Sequence, residues 1–169
     1  MAVLVRPRLA SDTRAVRRVA RASWRAALEG RAPAAFLAAI WRALYGRERL
    51  VLGLVEARRD AFVAEREGVV VGYADGIAGD GAAYHLARVY VAPGAWGAGA
   101  GRALVDAVLE AARARGAAHV ELEVDVANVR GLAWWERRGF ARTGVGTYEL
   151  PPFARATIRL ARSSAPLRA

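Results

Sequence analysis

The sequence predicts a single α/β (α+β) domain, and three observations carry that prediction. Short runs of β-branched and aromatic residues alternate with amphipathic helical stretches along the chain. One such run, Val89-Tyr90-Val91, leads through Pro93 into a glycine-dense loop and straight on into a helical stripe. Neither an internal repeat nor a linker-like segment divides the 169 residues, a length that suits one core. The domain is expected over residues 1–162, with a frayed tail over 163–169.

Val3-Leu4-Val5-Arg6-Pro7 reads as a strand stopped by proline. Ser11 or Asp12 offers an N-cap. Val16, Val19, Ala20, Ser23, Trp24, Ala27 and Leu28 then recur at helical spacing, with arginines mostly off that stripe and Gly30 at its end. Pro33 opens a second helix to about Tyr45. The stretch 47–59 is expected to be helical, in part loop. Residues 61–65 and 69–77 read as strands joined by Arg66-Glu67-Gly68, and Gly79-Asp80-Gly81 turns the chain into a strand over 84–91.

A helix from around Arg102 carries Leu104, Val105, Val108, Leu109 and Ala112 on one stripe, and Gly116 stops it. Val120, Leu122, Val124 and Val126 alternate with Glu121, Glu123 and Asp125, which gives a strand one apolar and one acidic face. Asn128 caps a short helix that ends at Gly139, and Arg155, Thr157 and Arg159 alternate with Ala156, Ile158 and Leu160 in another half-buried strand.

Composition narrows the function. Hydrophobic residues make up 55% and charged residues 25%, the balance of a globular chain. No apolar run is long enough to span a membrane, and residues 1–8 lack a signal-like apolar core, so no membrane partner and a cytoplasmic location are expected. With no Cys, disulfides, thiol nucleophiles and thiolate metal sites are excluded. With only His85 and His119, no histidine-built metal site is expected. The net charge of +10 is carried by arginine, without a single lysine. These arginines are dispersed, and no tract alternates basic with aromatic residues, so nucleic acid is not the expected partner. The charge would still attract a polyanionic cofactor.

The glycine loop is the sharpest motif. Gly97, Gly99 and Gly101 let the backbone turn tightly with its N–H groups exposed, and a helix start adds the positive end of its dipole. Together they suit a phosphate group, although a ligand-free glycine turn is the plainer alternative. A Walker loop needs a lysine that this chain lacks. A Rossmann fingerprint needs glycine where Arg102 stands, although Glu121 or Glu123 could serve as its distal carboxylate.

Trp96-Gly97-Ala98-Gly99-Ala100-Gly101, following Val89-Tyr90-Val91 and Pro93, closely resembles the acyl-CoA loop of the GNAT superfamily of N-acetyltransferases. The run from Asn128 through Gly131-Leu132-Ala133-Trp134-Trp135 to Gly139-Phe140 resembles that family's second signature. The two occur in order, and the resemblance is strong over residues 61–140. Two departures stand out: Trp96 replaces a Gln or Arg, and Trp135 replaces a Tyr.

The resemblance implies a GNAT-like fold, a mixed and mostly antiparallel sheet flanked by about four helices. It implies an acetyl-CoA-dependent N-acetyltransferase that moves acetyl directly to a primary amine of a small molecule or peptide, without a metal; a homodimer is compatible with it. Backbone N–H groups of Gly97, Ala98, Gly99, Ala100, Gly101 and Arg102 would then hold the pyrophosphate of CoA, with Trp96 also in the cofactor site. Val89, Tyr90 and Val91 would face pantetheine, and Asn128 and Trp135 would complete the cofactor site.

His85 stands near where many relatives carry a glutamate, and is the first choice of general base. Glu121, Glu123 and Asp125 are the alternatives, or they pair with Arg155 and Arg159 across the sheet. Trp135 is no acid, so Tyr148 or Tyr90 would protonate the leaving thiolate, unless it leaves unaided. Trp24, Phe36 and Trp41 belong to the region that lines the acceptor site in the family, although core packing explains them equally well. A catalytically silent acyl-CoA sensor and a basic nucleic-acid-associated protein are the competing functions.

Overall fold

The computed structural model describes residues 2–46, 50–51 and 53–165. Its elements are β1 (Leu4–Pro7), α1 (Thr13–Leu28), α2 (Ala34–Leu44), β2 (Arg59–Arg66), β3 (Val69–Ala78), β4 (Ala83–Val91), α3 (Ala100–Ala114), β5 (His119–Asp125), α4 (Val129–Glu136), β6 (Ala141–Leu150) and β7 (Phe153–Ser163). The strands form a seven-stranded sheet in the order β1-β2-β3-β4-β5-β7-β6. Only β4 and β5 run parallel; every other neighbouring pair is antiparallel. The mixed α/β fold is therefore the expected one. The expectation of helix over 47–59 falls partly outside the described residues; Leu50 and Val51 are helical, and a turn follows.

Each face of the sheet buries one apolar stripe. On one side Leu104, Val105, Val108 and Leu109 of α3 pack on Tyr84, Leu86, Val120 and Leu160. Burying each such aliphatic side chain contributes about 1.5–3 kcal/mol. On the other side Val16 and Val19 of α1 pack on Val63, Val70 and Tyr73.

A bulge in β4 decides which side chains look where. Asp75 pairs with Arg88 and Gly76 pairs with Leu86, so Ala87 is the extra residue. The step puts Arg88 and Tyr90 on the α1 face together with His85, while Val89 and Val91 join Leu86 against α3. Gly76 is required here, because a Cβ would overlap the Tyr84 ring.

Several boundaries differ from the sequence expectation. Asp12 occupies the N-cap position of α1, but its carboxylate accepts from the Leu9 N–H at 2.7 Å and so closes the preceding 3-10 turn. Val126 lies past the end of β5 and is 42% exposed, so it does not extend the apolar face. Of the tail expected to fray over 163–169, Ser163 closes β7 and the buried Ser164 hydroxyl donates to the Ala117 carbonyl at 2.6 Å, while 166–169 lie outside the described residues.

Asp12 also ties β1 to α1. Arg6 grips its carboxylate with two bonds of 2.8 and 2.9 Å and reaches Glu65 of β2 as well. The Arg6 hydrogen bonds hold the Asp12 carboxyl below its ordinary range, so it stabilises the fold at neutral pH. That contribution is lost as pH falls through the depressed value. Asp12→Ala is expected to lower unfolding free energy by about 1–3 kcal/mol in urea titrations at pH 7, with a smaller difference in acid.

Candidate active site

β4 and β5 pair only from Ala83 to His85 against His119 to Glu121. Beyond that point no pairing joins them, and a cavity of about 520 Å³ opens between the strands. Its floor carries His85, Arg88 and Tyr90 from β4. Its far wall carries Glu123 and Asp125 from β5, with Thr157 and Arg155 from β7 and Tyr148 from β6. Trp24 and Leu28 of α1 and Phe36 and Ile40 of α2 form an apolar roof. Past His85, β4 has no strand partner on its β5 side among the described residues, which leaves backbone N–H and C=O groups for an extended ligand.

Where the strand ends, the glycine loop begins. Pro93–Ala95 form a 3-10 turn, and the Trp96 indole N–H donates to the Val91 carbonyl at 2.9 Å. The Arg130 guanidinium lies 3.9 Å from the centre of that indole. Trp96 thus fastens the loop to the end of β4 and is absent from the cavity lining.

Gly97 and Gly99 have φ of 81° and 86°, the left-handed region where L side chains are strained, and a Cβ at either would enter open space. α3 begins at Ala100, two residues before the expected start near Arg102, because Gly99 is its N-cap. Its first intrahelical bond runs from Ala103 to Gly99, so the N–H groups of Ala100, Gly101 and Arg102 have no backbone acceptor among the described residues. They form an anion cradle at the positive end of the helix. Gly101 has a different task from the one its spacing suggested. It sits within the helix, and a Cβ there would come 3.0 Å from the Trp134 ring. The missing side chain lets α4 approach α3.

α4 closes the cavity from beyond β5. The Asn128 side chain caps it by accepting from the Gly131 N–H at 3.0 Å, and the same residue lines the cavity. Trp135 is only 8% exposed, packed edge-on against Trp134 and Phe140 at 4.7 and 5.0 Å, and it also lines the cavity.

The ionisable residues divide cleanly. His85 lines the cavity; Glu121, its register partner on β5, is exposed and outside the lining. Of the two ion pairs expected across the sheet, one forms. Arg155 binds Asp125 with bonds of 2.8 and 2.9 Å. Arg159 stands opposite Glu123 but donates to the Val145 carbonyl, while Glu123 accepts the Thr157 hydroxyl at 2.9 Å.

The Tyr90 hydroxyl oxygen accepts from the Tyr45 hydroxyl, which in turn accepts the Trp24 indole N–H at 3.1 Å. Burial pushes the Tyr90 hydroxyl up, out of its ordinary range. Tyr148 rests edge-on against Phe36 at 6.4 Å and lines the cavity. Trp24 and Phe36 line it too, whereas Trp41 stacks on Tyr45 at 4.9 Å outside it.

Two charged residues at or beside the cavity, Arg88 and Asp75, escaped the sequence reading. Asp75 is fully buried and binds both Arg88, at 2.6 Å, and Arg59, at 2.5 Å, through one oxygen. The available signal was a lone charge of opposite sign in each of two adjacent apolar strands, since buried charges are kept only when paired.

Residues 16–140 match the acetyltransferase (GNAT) family model. The chain belongs to the GNAT acetyltransferase family. This GNAT chain is 37% identical over 97 residues to an uncharacterized N-acetyltransferase of Mycobacterium tuberculosis (strain ATCC 25618 / H37Rv). That match covers 57% of this chain and 62% of the relative's length. Among solved structures, the fold is similar to the PaiA N-acetyltransferase from Thermoplasma acidophilum in complex with coenzyme A. The TM-score is 0.84 over 96% of this chain and 99% of that one, at 17% identity. A ribosomal-protein-alanine N-acetyltransferase from Brucella melitensis is 26% identical, with TM-score 0.72 over 95% of this GNAT chain and 99% of its own.

Proposed function

We propose that this GNAT protein transfers an acetyl group from acetyl-CoA directly to a primary amine of a small molecule or peptide, in the gap between β4 and β5. The observation that carries this reading is continuity: the anion cradle of Gly97–Arg102 meets the unpaired edge of β4, and that edge borders the cavity. The open space beside Gly97 and Gly99 and the free N–H groups of Ala100, Gly101 and Arg102 suit a diphosphate. Val89, Tyr90 and Val91 offer their backbone to the pantetheine amides, and Asn128 and Trp135 face the same gap. A second concavity, lined by Arg102, Arg137, Arg138 and Arg162, adds positive potential that favours a phosphate-rich donor.

Acetyl-CoA supplies an activated thioester carbonyl. The amine nitrogen attacks that carbonyl, the C–S bond breaks, and an amide and CoA are formed. The residues of this chain manage the protons. His85 accepts the proton lost by the amine, directly or through a water, and Tyr148 gives a proton to the departing sulfur. Glu121 lies outside the cavity lining, whereas Glu123 belongs to it.

Release of free CoA thiol from acetyl-CoA over a panel of primary amines tests the reading, with CoA affinity measured beside it. Amine-dependent release is the expected result. Tight CoA binding with no release on any amine supports the silent sensor instead. In His85→Ala, kcat/KM for the amine is expected to fall about 10-fold or more, with CoA affinity little changed. A variant matching the parent from pH 6 to 9 moves the base elsewhere.

A further inference from the structure

The proposed reaction gives Arg88, a charged group of the cavity, no task. Arg88 is 14% exposed and gives one N–H to Asp75 at 2.6 Å. Asp75 also binds Arg59, which pairs with Glu56 as well, so one Asp75 oxygen is shared by two guanidinium groups. A guanidinium has five N–H donors, and the others of Arg88 have no protein acceptor among the described residues. None of its nitrogens is among the sealed, unpartnered polar atoms. Its spare donors thus reach the cavity that it lines.

The opposite wall has the complementary charge. Asp125 is fully engaged by Arg155. Glu123 uses only Oε2, on Thr157, and its Oε1 takes no protein donor among the described residues. The same cavity is lined by the apolar side chains of Trp24, Phe36 and Ile40. One wall suits an anion, the facing wall a cation, and the apolar lining an apolar group.

Resting on the acetyltransferase reading, we propose that the acceptor is a free amino acid with an apolar side chain, whose carboxylate is bound by Arg88. Arg88 would supply two parallel N–H···O bonds to that carboxylate, a geometry that lysine cannot copy. Asp75 is then a positioning residue that keeps the guanidinium aimed into the cavity. The acidic wall receives the ammonium form of the acceptor before it is deprotonated.

The test compares phenylalanine and leucine with 2-phenylethylamine and isoamylamine, which lack only the carboxylate. The parent enzyme is expected to favour the amino acids by about 10- to 100-fold in kcat/KM, the worth of charge-assisted bonds to one carboxylate. Arg88→Gln should collapse that preference mainly through KM, and Arg88→Lys should retain part of it. Equal or better turnover of the decarboxylated amines by the parent overturns the proposal. So does an unchanged preference in a folded Arg88→Gln. Saturation-transfer NMR of phenylalanine on the CoA-loaded protein reads recognition without turnover. Binding that needs Arg88 but yields no acetylation keeps the carboxylate site and overturns the amino acid as acceptor, and only a lack of release on every amine of the panel sinks the transferase reading. Neither binding nor turnover of the amino acids overturns the carboxylate site.

Discussion

Gly99→Glu is expected to weaken coenzyme A binding by at least about 100-fold in a chain that still folds. Gly99 is the N-cap of α3 with φ of 86°, and a Cβ there meets no atom within 4 Å. The new side chain would therefore extend into the space proposed for the diphosphate. Its carboxylate would repel that group and take the free N–H donors for itself. Losing even one charge-assisted bond of about 1.5–3 kcal/mol costs roughly 10- to 100-fold, and repulsion adds to it. The positive φ adds a backbone cost of about 1–2 kcal/mol, which lowers stability without unfolding an ordinary domain. Gly99→Ala separates the two effects, because it keeps the backbone strain and removes the charge. Calorimetric titration with CoA beside a thermal melt decides the matter. Undiminished affinity in a folded Gly99→Glu protein removes the proposed donor site.

Local chemistry made part of this site legible in the sequence. Left-handed backbone at Gly97 and Gly99, a cap at Asn128 and a period-3.6 stripe in α3 are each set by neighbours along the chain, and each stands where expected. Gly101 was read as a third turn residue because its true constraint, the Trp134 ring, lies more than thirty positions away in sequence. The Arg88–Asp75 pair depends on the bulge at Ala87, which shifts the facing of every later residue in β4, and no local signal marks that shift. The cross-sheet ion pairs were half legible. Their acid and base spacing was visible, but Thr157 competes for Glu123 and a main-chain carbonyl competes for Arg159. The α1–α2 roof was read mainly as core; Phe36 is buried, yet it also lines the cavity.

Tyr148→Phe is expected to lower kcat by about 100-fold or more while leaving CoA affinity nearly unchanged. Breaking the C–S bond leaves a thiolate, and the residue at the usual position of the family's acid is Trp135, whose indole N–H does not titrate near neutrality. Tyr90 is a poor substitute, because its hydroxyl is tied to Tyr45 and burial raises its pKa, which weakens it as an acid. Tyr148 faces the cavity, and no protein group among the described residues takes its hydroxyl. Replacing it by Phe keeps the ring against Phe36 and removes only the proton. A structural role alone would leave kcat intact and shift stability, so a melt is run beside the kinetics. The decisive variant is Tyr148→Phe combined with Trp135→Tyr. If a phenol at 135 can serve the sulfur, the second change restores much of the lost kcat, and the two substitutions are strongly non-additive. Trp135→Tyr alone gains little, since the parent already has its acid, and it gives up some packing against Trp134 and Phe140. If Tyr148→Phe turns over like the parent, the thiolate departs without a protein proton, and Tyr148 loses its catalytic assignment.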